Sequence, residues 1–351
     1  MCQGALQYVG CSGNRYTIHT LFTISDSLAL KKQLLILKNT VTDPAISVVI
    51  PSYNSSKYIR KCLSSLRVQK CKMNFEIILV DSSDDGTDKI VSKEFPEVKM
   101  IKCEERTFVG SARNIGVEEA RGEIILFLDT DCIAPSDWVD RMYRAIKKSN
   151  ADGVGGALEN GTPLSITGTV GYYLEFFRFF PDRRSNYNNK LEKALFLVGA
   201  NCGFKKILFN KIKYYDGFDE TKVGEDFYFC WQLLRQANLI LFAPGIFVRH
   251  QNKSGLARVM RYQYKFGIGA CYYRYHVSKE VMKIFLRIPL LSFLMPFAVI
   301  PWIGYFVIKR LGKFELMKYT IMLPLVFIGN FFWAYGFFRQ INIIKRNLNN
   351  L

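Results

Sequence analysis

Three groups of side chains in this sequence have the types and spacing for chemistry on a phosphorylated substrate. Asp129-Thr-Asp131 follows the apolar run Glu123 to Leu128, which sets two carboxylates at the end of what reads as a buried strand. Hard oxygen ligands of this kind suit Mg²⁺ or Mn²⁺ bridging a diphosphate. Asp pairs two apart are also common in turns and caps, so the spacing alone leaves both readings open. Asp81 ends the run Phe75 to Val80 and offers acceptors to a base or ribose, with capping of the helix near Thr87 as the alternative. Gly224-Glu225-Asp226 precedes an apolar helical run and offers a general base, or an ordinary acidic first turn.

The elements that must position these groups alternate strand and helix. Ile46 to Ile50 reads as a strand ended by Pro51, Lys57 to Val68 as a helix, and Phe75 to Val80 as a second strand. After the polar turn Asp81 to Gly86 come a helix over Thr87 to Phe95, a strand over Val98 to Ile101, a helix over Val109 to Ala120 and the strand Glu123 to Leu128. Four β-α repeats predict a parallel sheet. Ligands bind beyond the carboxyl ends of such strands, and Pro51-Ser-Tyr53, Asp81 and Asp129-Thr-Asp131 all emerge on that edge.

The 351 residues carry Lys+Arg 48 against Asp+Glu 30, a net charge of +18, with 49% hydrophobic residues. That combination excludes a disordered chain and suits nucleic acid, anionic lipid or phosphorylated substrates. No nucleic-acid module is recognisable, so nucleic acid is not an expected partner. Nine cysteines without a C-x-x-C pair argue against zinc and for a reducing compartment. Met1 to Thr20 shows no long apolar segment of a signal peptide, and Leu28 to Lys38 reads as an amphipathic helix without assigned chemistry.

Two uncharged stretches, residues 288–308 and 319–338, are long enough to cross a bilayer and predict a helical hairpin, spanning or, given Pro289, Pro296 and Pro301, re-entrant. The connecting loop Lys309 to Lys318 carries four Lys/Arg, whereas residues 249–287 hold nine Lys/Arg against one Glu. Arg258, Arg261 and Lys265 share a helical face suited to an acceptor phosphate or anionic lipid. The charge bias predicts a membrane protein whose main domain faces the cytoplasm.

With these residues in place, the chain resembles the inverting glycosyltransferase family 2 over roughly residues 44–270. The resemblance rests on Ser47-Val-Val-Ile-Pro-Ser-Tyr-Asn54, Ile78 to Thr87, Ala112-Arg-Asn-x-Gly116, Ala120-Arg-Gly-Glu-x-Ile125, Leu126 to Asp131, Pro135-x-x-Trp138, Val198-Gly-Ala-Asn201, Gly217-Phe-Asp-Glu220, Gly224-Glu-Asp226 and Pro244 to His250. It implies a GT-A fold: a Rossmann-like α/β nucleotide-diphospho-sugar transferase domain, here over 45–270, after an N-terminal extension 1–44 and before the C-terminal hydrophobic helical hairpin within 271–351. It also implies that Pro51 and Tyr53 frame the nucleotide base, Asp81 binds it, Arg113 contacts nucleotide or phosphate, and Asp129 faces ribose or metal. Asp131 would coordinate the divalent cation, Asp226 would be the catalytic base with Glu225 beside it, and His250 is a further metal or acceptor contact, or a satisfied loop histidine.

The implied reaction is inverting, metal-dependent transfer from a nucleotide sugar to a lipid-linked or membrane-proximal glycan. The family's processive members carry Gln-x-x-Arg-Trp well after the acidic pair; here Gln232-Leu-Leu-Arg235 is followed by Gln236 and lies close to Asp226, so addition of one or a few sugars is expected. A polyprenyl-phosphate glycosyltransferase and a catalytically silent subunit of a membrane complex are the alternatives.

Overall fold

The computed structural model describes residues 43–183, 190–216 and 223–349. The chain divides into Met1–Asp43 and Pro44–Leu351, and the second unit is described here. The expected helix Leu28 to Lys38 and the Gly217-Phe-Asp-Glu220 segment lie outside the described residues.

The first half follows the alternation read from the sequence. It runs β1 (Ile46–Ser52), α1 (Ile59–Arg67), β2 (Phe75–Asp81), α2 (Thr87–Glu94), β3 (Lys99–Lys102), α3 (Val109–Glu118) and β4 (Ile124–Leu128). Every residue of β1 is buried, as expected of a central strand covered on both faces. β1 pairs in parallel with β2 and β4, and β2 with β3.

The second half is not parallel. After β5 (Cys132–Ile133) and α4 (Trp138–Ser149) come β6 (Gly153–Asn160), α5 (Ile166–Phe176), β7 (Glu192–Lys193), β8 (Asn201–Lys205), α6 (Glu225–Arg235) and β9 (Ile240–His250). The sheet order is β3-β2-β1-β4-β8-β6-β9-β5, with β7 also on β9. β8 lies antiparallel to both β4 and β6, so the sheet is mixed where a parallel one was expected. This insertion sets the end of β4 against the start of β8, with Leu128 opposite Asn201. Two apolar cores cover the two faces, one around Ile50, Leu126 and Trp138, the other around Val49, Phe127 and Phe204.

Helices complete the chain: α7 (Leu256–Val277), α8 (Lys279–Arg287), a 3-10 segment Pro289–Leu294, α9 (Met295–Phe306), a π-helical turn Val307–Leu311 and α10 (Lys313–Asn349). Pro289–Leu311 and Lys313–Leu348 are each long and apolar enough to cross a bilayer. The expected loop Lys309 to Lys318 is instead helical on both sides of Gly312.

Nor does that connection stand apart from the sheet-bearing half. The buried Arg310 guanidinium pairs with Glu192 at 2.6 Å and Asp182 at 3.7 Å, and the Tyr173 hydroxyl donates to Glu315 at 2.9 Å. The charges read as a loop on the far side of a membrane are thus partly internal ion pairs, whose acids lie more than a hundred residues earlier. Further along α10, Val326 joins the cluster containing Val170 and Tyr172 of α5. α10 then crosses α7 so closely that a Cβ on Gly336 would lie 2.1 Å from the Tyr264 carbonyl oxygen, and one on Gly267 2.0 Å from that of Trp333. Phe314, Met317, Ile321, Ile328, Phe331 and Tyr335 remain exposed along the opposite side of α10.

The crossing predicts the effect of a side chain at its centre. Gly336→Val forces α7 and α10 apart and should lower stability by about 1–3 kcal/mol or more. Thermal unfolding of the detergent-purified protein reads this as a drop in midpoint, and an unshifted midpoint would contradict the close approach.

Candidate active site

The polar groups at the carboxyl edge of the parallel strands are locked to one another. Asp81, at the end of β2, is fully buried and accepts from Ser52 Oγ at 2.7 Å, Ser83 Oγ at 2.5 Å and Lys102 Nζ at 3.0 Å. Pro51 sits in β1 opposite Val80, and beyond it Asn54 takes a left-handed backbone (φ 52°) that turns the chain across the edge. Tyr53 is exposed on that turn with the Arg106 guanidinium 4.5 Å above its ring, a flat platform of the kind a base stacks on. Asp85 ties the two loops together by accepting from the Ser56 amide and the Thr87 hydroxyl. Burial works against its charge, but those bonds prevail and hold the carboxyl at about 2.

A second cluster forms where β5 pairs with β9, since the register sets Cys132 opposite His250. His250 Nε2 lies 3.4 Å from Asp131 Oδ1, and Asp131, Cys132 and His250 present ligand atoms within 4.8 Å of one another. His250 Nδ1 lies 2.9 Å from Asn252 Oδ1; the amide oxygen only accepts, so Nδ1 donates, and Nε2 is the ring nitrogen that faces Asp131. This donor set fits a divalent cation held by Asp131 and His250. Burial drives the Cys132 thiol far above its ordinary range, which keeps it protonated and a poor ligand. Burial also raises Asp131, with His250 opposing and Asp129 adding to the rise.

Asp129 belongs to a third group. The Arg113 guanidinium, 2% exposed, donates from Nη2 to Asp129 Oδ1 at 3.1 Å and from Nη1 to Glu225 Oε1 at 3.0 Å. Its faces lie against Tyr214 and Phe127, 5.3 and 5.8 Å from the ring centroids. Arg113, expected to touch nucleotide or phosphate, is therefore committed to two carboxylates of the protein. Gly199 makes room for it, since a Cβ there would lie 2.2 Å from Nη2.

Asp226, in the first turn of α6, accepts from its neighbour Phe227 N at 2.7 Å and from Gly199 N at 3.3 Å. Burial raises its pKa, while Arg113 and these amides oppose the rise. Burial pushes the Glu225 carboxyl up to about 7, with Asp226 adding to the shift and Arg113 opposing it.

Arg258, Arg261 and Lys265 lie exposed on one side of α7, away from the buried Val259, Met260 and Gln263, and none pairs with the carboxylates above. Two motifs of the resemblance prove to be scaffolding. Trp138 Nε1 donates to Asn201 Oδ1 at 2.9 Å, and Asn201 Nδ2 donates to the Ala157 carbonyl, which fastens α4 to β8 and β6. The structure also adds groups the sequence did not single out. Asp216 accepts the Gly110 and Ser111 amides and so caps α3, and Glu175 on α5 is pushed up to about 7 by burial, with Lys253 and His250 opposing. Neither follows a strand or opens a helix in the text, so no local signal marks them.

The raised Glu225 carboxyl has a measurable consequence. The folded state holds a proton between about pH 4.5 and 7 that the unfolded chain has released, so its contribution to stability falls as pH rises through that window. The slope is about 1.4 kcal/mol per pH unit for one proton. Glu225→Gln should lessen the pH dependence of the unfolding free energy, from denaturant titrations, by about one proton; an unchanged slope would put Glu225 in an ordinary carboxylate setting.

Comparison with known proteins bears on the whole arrangement. Residues 47–213 match the sequence model of Glycosyl transferase family 2. Glycosyltransferase AglE of Haloferax volcanii is 35% identical over 138 residues, covering 38% of this chain and 45% of that protein. Glycosyltransferase GlyA of Streptococcus pneumoniae is 27% identical over 234 residues, 62% of this chain and 32% of that one. The chain thus spans less than half the length of either relative. The crystal structure of S. aureus TarS 1-349 aligns with 84% of this chain and 91% of its own at 17% identity and a TM-score of 0.45. The matched segment runs from β1 to β8 and holds Asp81, Arg113, Asp129 and Asp131, while Glu225, Asp226 and His250 lie beyond it.

Proposed function

We propose that this glycosyltransferase moves one or a few sugars, with inversion, from a nucleotide-sugar donor to a lipid-linked or membrane-proximal glycan. The observation that carries the reading is the Arg113 bridge: one buried guanidinium joins Asp129, at the donor edge of the sheet, to Glu225, next to the candidate base. Pro51, Tyr53 and Asp81 receive the nucleoside at the strand edge. Asp131 and His250, with Asp129 beside them, would hold Mg²⁺ or Mn²⁺, which when bound offsets charge on the departing diphosphate. Asp226 accepts the proton of the acceptor hydroxyl as it attacks the anomeric carbon from the face opposite the nucleotide. Amides from Gly199 and Phe227 orient that carboxylate, and its partly buried position keeps its basicity above that of an exposed aspartate.

In this reading the C-terminal helices attach the enzyme to a membrane without carrying their connection across it. α10 touches the catalytic half through Glu315 at one end and Arg339, which donates to the Tyr264 hydroxyl at 2.6 Å, near the other. Its exposed apolar side chains from Phe314 to Tyr335 then face the lipid from a helix lying along the bilayer surface, with Lys309 and Lys313 at headgroup level.

Two measurements test these points. Asp226→Asn should lower transfer about 10²–10⁴-fold while nucleotide affinity holds, and Asp131→Ala should abolish metal-dependent donor turnover. Full activity in either variant would sink the mechanism. For the topology, a cysteine replacing the exposed Phe314, in a variant cleared of other accessible thiols, should react from the same membrane side as one on the catalytic domain; labelling from the opposite side only would show a crossing.

A further inference from the structure

Two arginines outside the machinery above are half-buried and meet no acid among the described residues. Arg178 lies in the 3-10 turn after α5, and its guanidinium stands 4.3 Å from the ring centroid of Trp302, 5.4 Å from Phe177 and 5.7 Å from Phe196. It forms no ion pair among the described residues, and its buried Nε has no hydrogen-bond partner. Arg274 of α7 lies against Trp333 and Tyr273, and among the described residues the only bond from its guanidinium goes to the Ala270 carbonyl, at 3.0 Å. Burial holds the Arg178 pKa down to about 10, and the nearby charge of Arg274 adds to that; burial lowers Arg274 as well. Two half-buried guanidiniums that repel each other and meet no acid among the described residues suit an anion between them.

Their neighbours place that anion. Phe196 stacks on Phe227 at 4.8 Å, and Phe227 meets Tyr273 at 4.0 Å, so aromatic rings run from one arginine to the other through the residue next to Asp226. Trp302 belongs to α9 and Trp333 to α10, the two apolar helices. The pair thus sits where the candidate base, the catalytic half and the membrane-facing helices converge.

We propose that Arg178 and Arg274 bind the phosphate or diphosphate group through which the acceptor is joined to its lipid, with the lipid chain following α9 and α10. The inference rests on the lipid-linked acceptor of the reading above and names the part of the site that recognises it. The arginines then hold the acceptor's fixed charge while its sugar hydroxyl reaches Asp226. Arg258, Arg261 and Lys265, exposed and solvated, are left to general attraction to anionic headgroups.

The test is a binding measurement that needs no turnover. Tryptophan emission of the detergent-purified full chain is titrated in EDTA with geranyl diphosphate, geraniol, inorganic pyrophosphate and UDP; Trp302 and Trp333 report directly. Geranyl diphosphate should bind without metal and more tightly than geraniol or pyrophosphate. Arg178→Gln and Arg274→Gln should each weaken it about 10–100-fold, with partial recovery in the lysine variants. UDP affinity, measured with Mn²⁺, should stay within about twofold, and this also shows that the variants are folded. Absence of metal-independent geranyl diphosphate binding to the unaltered protein would overturn the proposal whatever the variants do. So would binding indifferent to both substitutions, or an equal loss of UDP affinity, which would assign the pair to the donor's diphosphate. Donor hydrolysis measured alongside separates these failures from failure of the transferase reading itself.

Discussion

The constraint on which the site depends is the burial of one cation. Taking a guanidinium out of water costs several kcal/mol unless charge and hydrogen bonds replace its hydration. Arg113 meets that demand by drawing Asp129 from the end of β4 and Glu225 from the start of α6, 16 and 112 residues away. The parallel half of the sheet and the helix bearing the candidate base are therefore fixed to each other by hydrogen bonds to one guanidinium as well as by packing. Gly199 must stay bare beside Nη2, and its amide in turn holds Asp226, so the same few atoms set the distance between Asp129 and Asp226.

Around that bridge the chemistry separates by side. Asp131 and His250 are brought together by the β5–β9 register, while Asp226 stands at a helix N-terminus, where the backbone favours negative charge even as burial opposes it. An inverting displacement needs this division, because the proton acceptor and the leaving diphosphate occupy opposite faces of the sugar. Beyond Asp226, Phe227 and Tyr273 lead toward Arg178 and Arg274, which meet no acid among the described residues, and toward the apolar helices.

The sequence made β1 to β4 readable because each is a short apolar run closed by proline or a polar turn, and because local patterning suffices for parallel β-α units. Asp81, Asp129, Asp131 and Asp226 were visible for the same reason, as polar residues at the ends of apolar segments. What failed to show were partnerships across long separations. β8 pairs antiparallel to β4 through residues more than seventy positions later, and nothing in Asn201 to Lys205 announces its direction. Arg310 reads as a loop charge because Asp182 and Glu192 lie far upstream, and Arg113 reads as a phosphate ligand because Glu225 lies far downstream. Arg178 and Arg274 are ordinary basic residues in the text; only their shared lack of an acid among the described residues distinguishes them.

The central claim is that Asp226 acts from the side of the sugar opposite the diphosphate. Proton NMR of donor hydrolysis, recorded before the released sugar mutarotates, tests it without an acceptor. Starting from an α-linked nucleotide sugar, the account predicts that the β anomer appears first. First release of the α anomer would contradict a single displacement and with it the role given to Asp226.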